Sequence, residues 1–339
     1  MSIRIAINGF GRMGKLGLRA GFSNPDYEIV HINDPEGSAK AAAHLLKFDS
    51  VHGKWNKNIS CSCDDYFEVE GKKISWSAFS SISEIPWPEI QADLVLDCSG
   101  KFKTKDALQT YFDSGIKKVV VSTPVKDDSI LNIVMGINDH RYKPDEDHLV
   151  TAASCTTNAL APVVKTINES LGIKHGTVTT IHDVTNTQTI IDKFHKDLRR
   201  ARSSSTSLIP TTSGSSKAII KIFPELEGRL ESMAIRVPMQ NSSMIDCVFE
   251  VNRRTTNEEV NQILQKSAQG ALAHIFGYET LPLVSVDYLH ESKSSVVDAL
   301  STSVVNGTQV KIIAWYDNEW GYVSRMMELV SKIASSLNK

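Results

Sequence analysis

Cysteine is scarce in this chain. Its 339 residues hold five (Cys61, Cys63, Cys98, Cys155 and Cys247), an odd number without CxxC spacing, so neither a disulfide framework nor a zinc site is signalled. Cys61-Ser62-Cys63 reads as two neighbouring surface thiols. Aromatics make up only 7%, and a nucleic-acid reading of the basic residues is weak. The formal net charge is −2, so no overall field draws the chain to acidic polymers or lipid. No apolar run approaches the roughly 20 residues that span a bilayer. A strand pattern starts at Ile3 without a charged-then-apolar leader, which makes a cytoplasmic location the expectation. Internal repeats and low-complexity linkers are lacking too. At 41% apolar and 22% charged, the remainder is a globular chain long enough for two cores.

The stretch around which the rest is organised is Ala153-Ser154-Cys155-Thr156-Thr157-Asn158. An apolar run ends there, and Leu160, Val163, Val164 and Ile167 then recur at helical spacing. Ser154 and Thr156 are good N-cap types, which sets Cys155 at or just before the first turn. A helix start favours a thiolate over a thiol, and hydroxyls on both sides of the sulfur suit an oxyanion.

Before that stretch the pattern alternates strand and helix. Ile3, Ile5 and Ile7 make a strand that runs into Asn8-Gly9-Phe10-Gly11-Arg12-Met13-Gly14, a GxGxxG followed by a helical segment. Gly9 suits a tight turn, Gly11 a close approach by pyrophosphate, and Gly14 close helix–strand packing. A second strand ends at Asp34, where a carboxylate would bond both ribose hydroxyls of an adenosine and repel a 2′-phosphate. Further strands are expected at Leu94–Cys98, Lys118–Ser122, Ile133–Gly136 and Leu149–Ala152, with Ser122 at a strand end able to face a dinucleotide. The expected fold is α/β: an N-terminal doubly wound parallel sheet of the Rossmann type.

Past the Cys155 helix, long β-type runs at 177–184, 232–237, 244–251 and 309–316 imply a second, α+β domain with a mixed or antiparallel sheet. A basic loop carrying Lys193, Lys196, Arg199, Arg200 and Arg202 lies between the first two runs, a length that suits a site or a subunit contact. The chain closes on a helix, 320–337, with one apolar stripe.

A nucleophilic cysteine with a dinucleotide site points to aldehyde oxidation through a hemithioacetal and a thioester. That scheme needs a base near the sulfur. His182 ends a strand and is the best candidate; His175, His195 and His274 remain open on sequence alone.

The motifs Asn8-Gly-Phe-Gly-Arg12, Ala153-Ser-Cys-Thr-Thr-Asn158, Ile209-Pro-Thr-Thr212, Arg236-Val-Pro238 and Trp315-Tyr-Asp-Asn-Glu-Trp-Gly-Tyr322, in this order over nearly the full length, resemble phosphorylating glyceraldehyde-3-phosphate dehydrogenases. The finer likeness of His44–Trp55, His182–Asn186 and Ser294–Thr302 is to the branch found beside arsenate-resistance genes. The resemblance implies Cys155 as nucleophile and His182 as its base. It implies Ser154, Thr156, Ser213, Gly214 and Arg200 around the attacking phosphate, and Thr185 with Arg236 around the substrate's own phosphate. For NAD it implies Gly9, Gly11, Arg12, Met13, Asp34 and Ser122, with Asn318 bonding the nicotinamide carboxamide and Tyr322 packing near it. It implies an NAD domain of residues 1–154 completed by the last helix (318–339), a catalytic domain of 155–317, a homotetramer and no metal. The substrates would be glyceraldehyde 3-phosphate with inorganic phosphate or arsenate. An erythrose-4-phosphate dehydrogenase that releases a free acid, or a binding protein on the same scaffold, are the alternatives. The chain departs from the family pattern at Ala159 (usually a second cysteine), Lys193-Phe194 (usually Leu-Pro), Thr187 (usually Asp) and Ser213 (usually Thr). None of these removes a group that the chemistry needs.

Overall fold

The buried side chains of Ile3, Ile5 and Ile7 belong to a strand, Ile3–Asn8, that lies at the centre of a nine-stranded sheet in a computed structural model describing residues 2–125 and 127–337. Tyr27–Asn33 and Leu94–Asp97 flank it in parallel. Lys118–Val121, Leu149–Thr151 and Leu131–Asn132 extend the parallel sheet on one side, and Lys72–Ser77 on the other. Antiparallel pairing enters only at the edge formed by Tyr66–Val69 and Ile59–Ser60. Strands buried on both faces and joined by helices give this parallel order, and its direction reverses at the carboxyl end of Ile3–Asn8.

The expected strand at 133–136 is not formed. Pairing stops at Leu131–Asn132, and the next residues turn. The Asn138 carboxamide accepts from Val134 N at 2.7 Å and donates to Asn132 O at 2.9 Å, so a polar side chain captures the backbone that would have continued the ladder.

Two glycines make the first turn possible. Gly9 has φ +94, and a Cβ built on Gly14 would stand 2.1 Å from the Gly9 carbonyl oxygen. Gly14→Ala is therefore expected to cost more than about 2 kcal/mol, lowering the melting midpoint by roughly 4–8 °C. Calorimetry checks this, and an unchanged midpoint would refute the close approach.

The C-terminal helix, Trp320–Leu337, buries Val323, Met326, Met327, Val330 and Ile333. From Val323 on it packs within the first of two compact units, residues 1–154 and 323–339. Met326 and Met327 lie over Gly17 and Gly21 of the helix Arg12–Gly21, and Lys332 Nζ bonds Asp139 Oδ2 at 2.6 Å. Each apolar side chain removed from water there contributes about 1.5–3 kcal/mol.

The second unit, residues 155–322, is a mixed eight-stranded sheet with helices. Ile173–His182 pairs in parallel with Leu230–Arg236 and antiparallel with Ser243–Val251, which in turn pairs antiparallel with Gln309–Tyr316. Ile209–Thr212 adds an outer strand beside Leu230–Arg236. Strong alternation made the long strands legible. The helices Ser215–Ile222 and Asn257–Gln269 escaped the sequence reading, because short polar-rich segments carry little periodic signal. The fold is thus α/β, a doubly wound parallel sheet plus a domain with a mixed sheet. No helix among the described residues is long and apolar enough to cross a membrane.

Candidate active site

In the first unit the glycine turn hands the chain to a helix that begins at Arg12, with Gly11 at its N-cap. The opening N–H groups of a helix have no partner within it and favour an anion. A Cβ on Gly11 would meet nothing within 4 Å, which leaves the room at the helix start that a pyrophosphate needs. Asp34 directly follows the strand Tyr27–Asn33. Its Oδ2 accepts from Phe10 N at 2.6 Å and its Oδ1 from Glu36 N at 2.9 Å, so the acidic side chain is fixed against the glycine turn. Met13 lies half-buried in the first helical turn, and Ser122 is buried at the end of Lys118–Val121. Arg12 is turned to Asp49 in an ion pair. Burial works against the Asp49 carboxylate, yet the Arg12 guanidinium and two backbone N–H groups hold it well below its ordinary range. Behind the turn a buried chain of hydrogen bonds ties three strand ends to one helix. Asn33 donates to Asn8 Oδ1 (2.8 Å), Asn8 to Tyr111 OH (2.6 Å), and Tyr111 to Asp97 Oδ2 (2.7 Å). The open helix start at Gly11 and the fixed carboxylate of Asp34 beyond the second strand fit NAD.

In the second unit, Cys155 opens the helix Cys155–Leu171 and is half-buried. Just before it, Ala153 adopts φ +57, a left-handed conformation costly for a residue with a Cβ. The sheet register then assembles the surroundings. His182 ends its strand directly opposite Arg236, which ends the parallel neighbour. Ser243 begins the antiparallel strand and stands opposite Tyr316, which ends the next. All four therefore lie at one end of the sheet. His182 Nε2 is 3.6 Å from Cys155 Sγ, and its ring meets Tyr316 edge to face. His175, His195 and His274 are exposed, so among the described histidines tertiary folding brings His182 to the sulfur.

His182 is 4% exposed. Burial disfavours its imidazolium, but hydrogen bonds to Asp183 and Cys155, together with their charge, more than offset this and push its pKa up to about 9. Thr156 Oγ1 lies 4.0 Å from Cys155 Sγ and 3.1 Å from Tyr316 OH, which also meets Thr180 Oγ1 at 2.8 Å. Burial and the neighbouring Cys155 raise the Tyr316 phenol well above its ordinary range, so it stays a neutral donor.

Arg236 lies against this pair. Its Nη1 is 2.6 Å from His182 Nδ1 and donates to the Asp183 carbonyl at 2.9 Å, while its buried Nε has no hydrogen-bond partner. A buried guanidinium N–H left without an acceptor suits an anionic partner. Arg200 is tied elsewhere than the resemblance implies. It donates to Thr187 Oγ1 (3.1 Å) and Thr211 Oγ1 (2.5 Å), and Thr187 in turn meets Thr185 Oγ1 at 3.1 Å. Arg200 therefore stands with Thr185, the residue assigned to the substrate's own phosphate. Ser213 and Gly214 lead into the helix Ser215–Ile222, with Ser213 Oγ 2.8 Å from Ser215 Oγ. Ser154, the last residue of the first unit, is half-buried and covalently precedes Cys155.

Two expectations read differently in the structure. Asn318 does not present a free carboxamide: its Nδ2 donates to Asp183 Oδ2 at 2.7 Å and its Oδ1 accepts from Ser243 at 2.9 Å. Tyr322 is buried, as an apolar residue of the last helix. Asp183, Tyr316 and Ser243 were missed by the sequence reading. Successive strand residues point to opposite faces, which speaks against Asp183 as a partner of His182. The strand stops at His182, however, and that alternation does not extend past it.

Comparison with known proteins bears on both units. Residues 3–105 match the family described as glyceraldehyde 3-phosphate dehydrogenase, NAD binding domain, and residues 154–318 match its C-terminal domain. The chain is 58% identical to glyceraldehyde-3-phosphate dehydrogenase 3 of Nostoc sp., covering 99% of this chain and all of that protein. It is 45% identical to glyceraldehyde-3-phosphate dehydrogenase of Geobacillus stearothermophilus, over 99% of both chains. The plasmid-borne enzyme of that name in Cupriavidus necator is also 45% identical, over 98% of this chain and 99% of its own. With an NAD-type glycine turn in one unit and a cysteine–histidine pair in the other, this chain belongs to the glyceraldehyde-3-phosphate dehydrogenase family.

Proposed function

We propose that this chain oxidises glyceraldehyde 3-phosphate with NAD and inorganic phosphate, giving 1,3-bisphosphoglycerate. The observation that carries the reading is the 3.6 Å approach of His182 Nε2 to Cys155 Sγ beside the buried, half-satisfied guanidinium of Arg236. Cys155 attacks the aldehyde as a thiolate paired with the His182 imidazolium, forming a hemithioacetal. His182 Nε2 steadies or protonates the new oxygen, then withdraws that proton as the carbonyl re-forms. NAD, held by the residues named below, would supply the oxidising chemistry as the hydride acceptor. The thioester left on Cys155 is opened by phosphate, held by Ser154, Thr156, Ser213 and Gly214, and the thiolate departs. Arg236, with Thr185 and Arg200, anchors the phosphate that the substrate already carries.

Asp34, Arg12, Met13, Gly9, Gly11 and Ser122 hold the adenosine and pyrophosphate end of the cofactor. Asn318, through the second Nδ2–H and the Oδ1 lone pair left over from its bonds to Asp183 and Ser243, and Tyr322 serve its nicotinamide end. Arsenate, a tetrahedral oxyanion of similar charge, would replace phosphate and yield 1-arseno-3-phosphoglycerate. The likeness to the arsenate-resistance branch favours such a role. A cytoplasmic homotetramer is the assembly that family likeness supports. It would cover Ile190, Ile191, Phe194 and Leu198 of the basic loop, each at least 76% exposed.

The test is NADH formation at varied acceptor. We expect a rate at least about tenfold higher with phosphate or arsenate than without either. A rate independent of both would identify a hydrolytic erythrose-4-phosphate-type enzyme, and no turnover at all would leave a binding protein.

A further inference from the structure

Asp183 is 1% exposed, and a carboxylate so deeply buried needs partners on both oxygens. It has them. Oδ1 lies 2.5 Å from His182 Nδ1, and Oδ2 accepts from Asn318 Nδ2 at 2.7 Å. Ser243 Oγ receives the Asp183 N–H at 3.2 Å and gives its one proton to Asn318 Oδ1 at 2.9 Å.

The ring nitrogen Nδ1 is contested, because Arg236 Nη1 stands 2.6 Å away and the Asp183 carbonyl oxygen 3.0 Å away. One arrangement satisfies all three groups. With a proton on Nδ1, the ring donates to Asp183 Oδ1, and Arg236 donates to the Asp183 carbonyl at 2.9 Å. Without that proton, a carboxylate oxygen would face a nitrogen lone pair at 2.5 Å, which is repulsive. The carboxylate therefore selects the ring form in which Nδ1 is a donor and Nε2 faces the sulfur. The other charged or titratable groups around the ring are Cys155 from its helix, Arg236 from the neighbouring strand with Arg200 beyond it, and Tyr316 from the strand end.

We propose that Asp183 is a positioning residue for the reaction, its carboxylate holding the His182 ring with Nδ1–H bound to Oδ1 and Nε2 aimed at Cys155, and tying that ring through Oδ2 to Asn318. The pair of Cys155 and His182 thereby becomes a linear set of four side chains that ends at the amide assigned to the cofactor's nicotinamide. This rests on the reading of Cys155 and His182 as the reacting pair. Burial lowers the His182 pKa, and the hydrogen bond and charge of Asp183, together with those of Cys155, push it up to about 9. A neutral carboxamide in place of Asp183 would remove the anion. It would also offer its own N–H to Nδ1, favouring the ring form that has the proton on Nε2 alone.

The experiment follows the His182 ring by ¹⁵N resonance and the NADH burst by stopped flow, in wild type, Asp183→Asn and Asp183→Glu. In Asp183→Asn the ring should titrate at least one pH unit lower. The burst rate at pH 8 should fall by about 10- to 100-fold, within the range for a group acting on a general base, with little change in the KM for the aldehyde. Asp183→Glu should recover much of both. A carboxamide variant that titrates like wild type while Cys155 still alkylates would overturn the proposal. So would the lack, in wild type at pH 7, of a strongly downfield Nδ1 proton on His182, a measurement that needs no variant to fold. If the cysteine reading itself is wrong, Cys155→Ser keeps its burst whatever Asp183 does, so the two failures are separable.

Discussion

Cys155→Ser is expected to abolish the burst and steady turnover while NAD binding stays within about twofold of wild type. Serine keeps the size and the helix start, but its alkoxide is not available near neutral pH, even beside a histidine at 3.6 Å. The loss should reach at least the 10²–10⁴-fold range associated with a single catalytic group. Cofactor fluorescence quenching and a thermal scan would establish that the variant is folded. Retention of more than about a hundredth of wild-type turnover would remove Cys155 from the chemistry.

Arg236→Leu should separate substrates rather than silence the enzyme. Truncating one partner of a buried charge-assisted contact to phosphate costs roughly 2–5 kcal/mol, about thirty-fold to several-thousand-fold in kcat/KM. Unphosphorylated glyceraldehyde never makes that contact and should lose far less. Some loss is expected for both, because Arg236 also donates to the Asp183 carbonyl and lies against the His182 ring. Equal losses on the two substrates would make Arg236 a support for His182 alone.

Much of this architecture was readable in the chain because each device there depends on a few adjacent residues. The turn at Gly9 needs a positive φ and the packing at Gly14 tolerates no Cβ, so both positions are written as glycine. The strand end at Asn33 is set by an apolar run that stops, and the one at His182 by alternation that does. The Cys155 helix begins where hydroxyl residues replace apolar ones. What depended on register was hidden. That Arg236 stands opposite His182, and Tyr316 opposite Ser243, follows from pairing between strands 54 and 73 residues apart in sequence, which local pattern cannot give. Arg200 was assigned to the attacking phosphate, and the structure ties it through Thr187 to Thr185, a link made by side chains across a loop. The strand expected at 133–136 failed for a local reason of another kind, one carboxamide outcompeting a ladder.

The division of the chain also has a consequence for the order of synthesis. The first unit draws on the helix from Val323 on, which is synthesised after the whole of the second unit, whereas the second is continuous from 155 to 322. The second unit can thus close while the first still lacks the helix that covers Gly17 and Gly21. Until Met326 and Met327 arrive, that apolar surface of the nascent chain faces water and is open to chaperones or to other copies. A stop codon between residues 322 and 326 would leave this state permanent. Such chains are expected to keep the residues around Cys155 and yet be cleared or aggregate, because the methionines that cover Gly17 and Gly21 are missing.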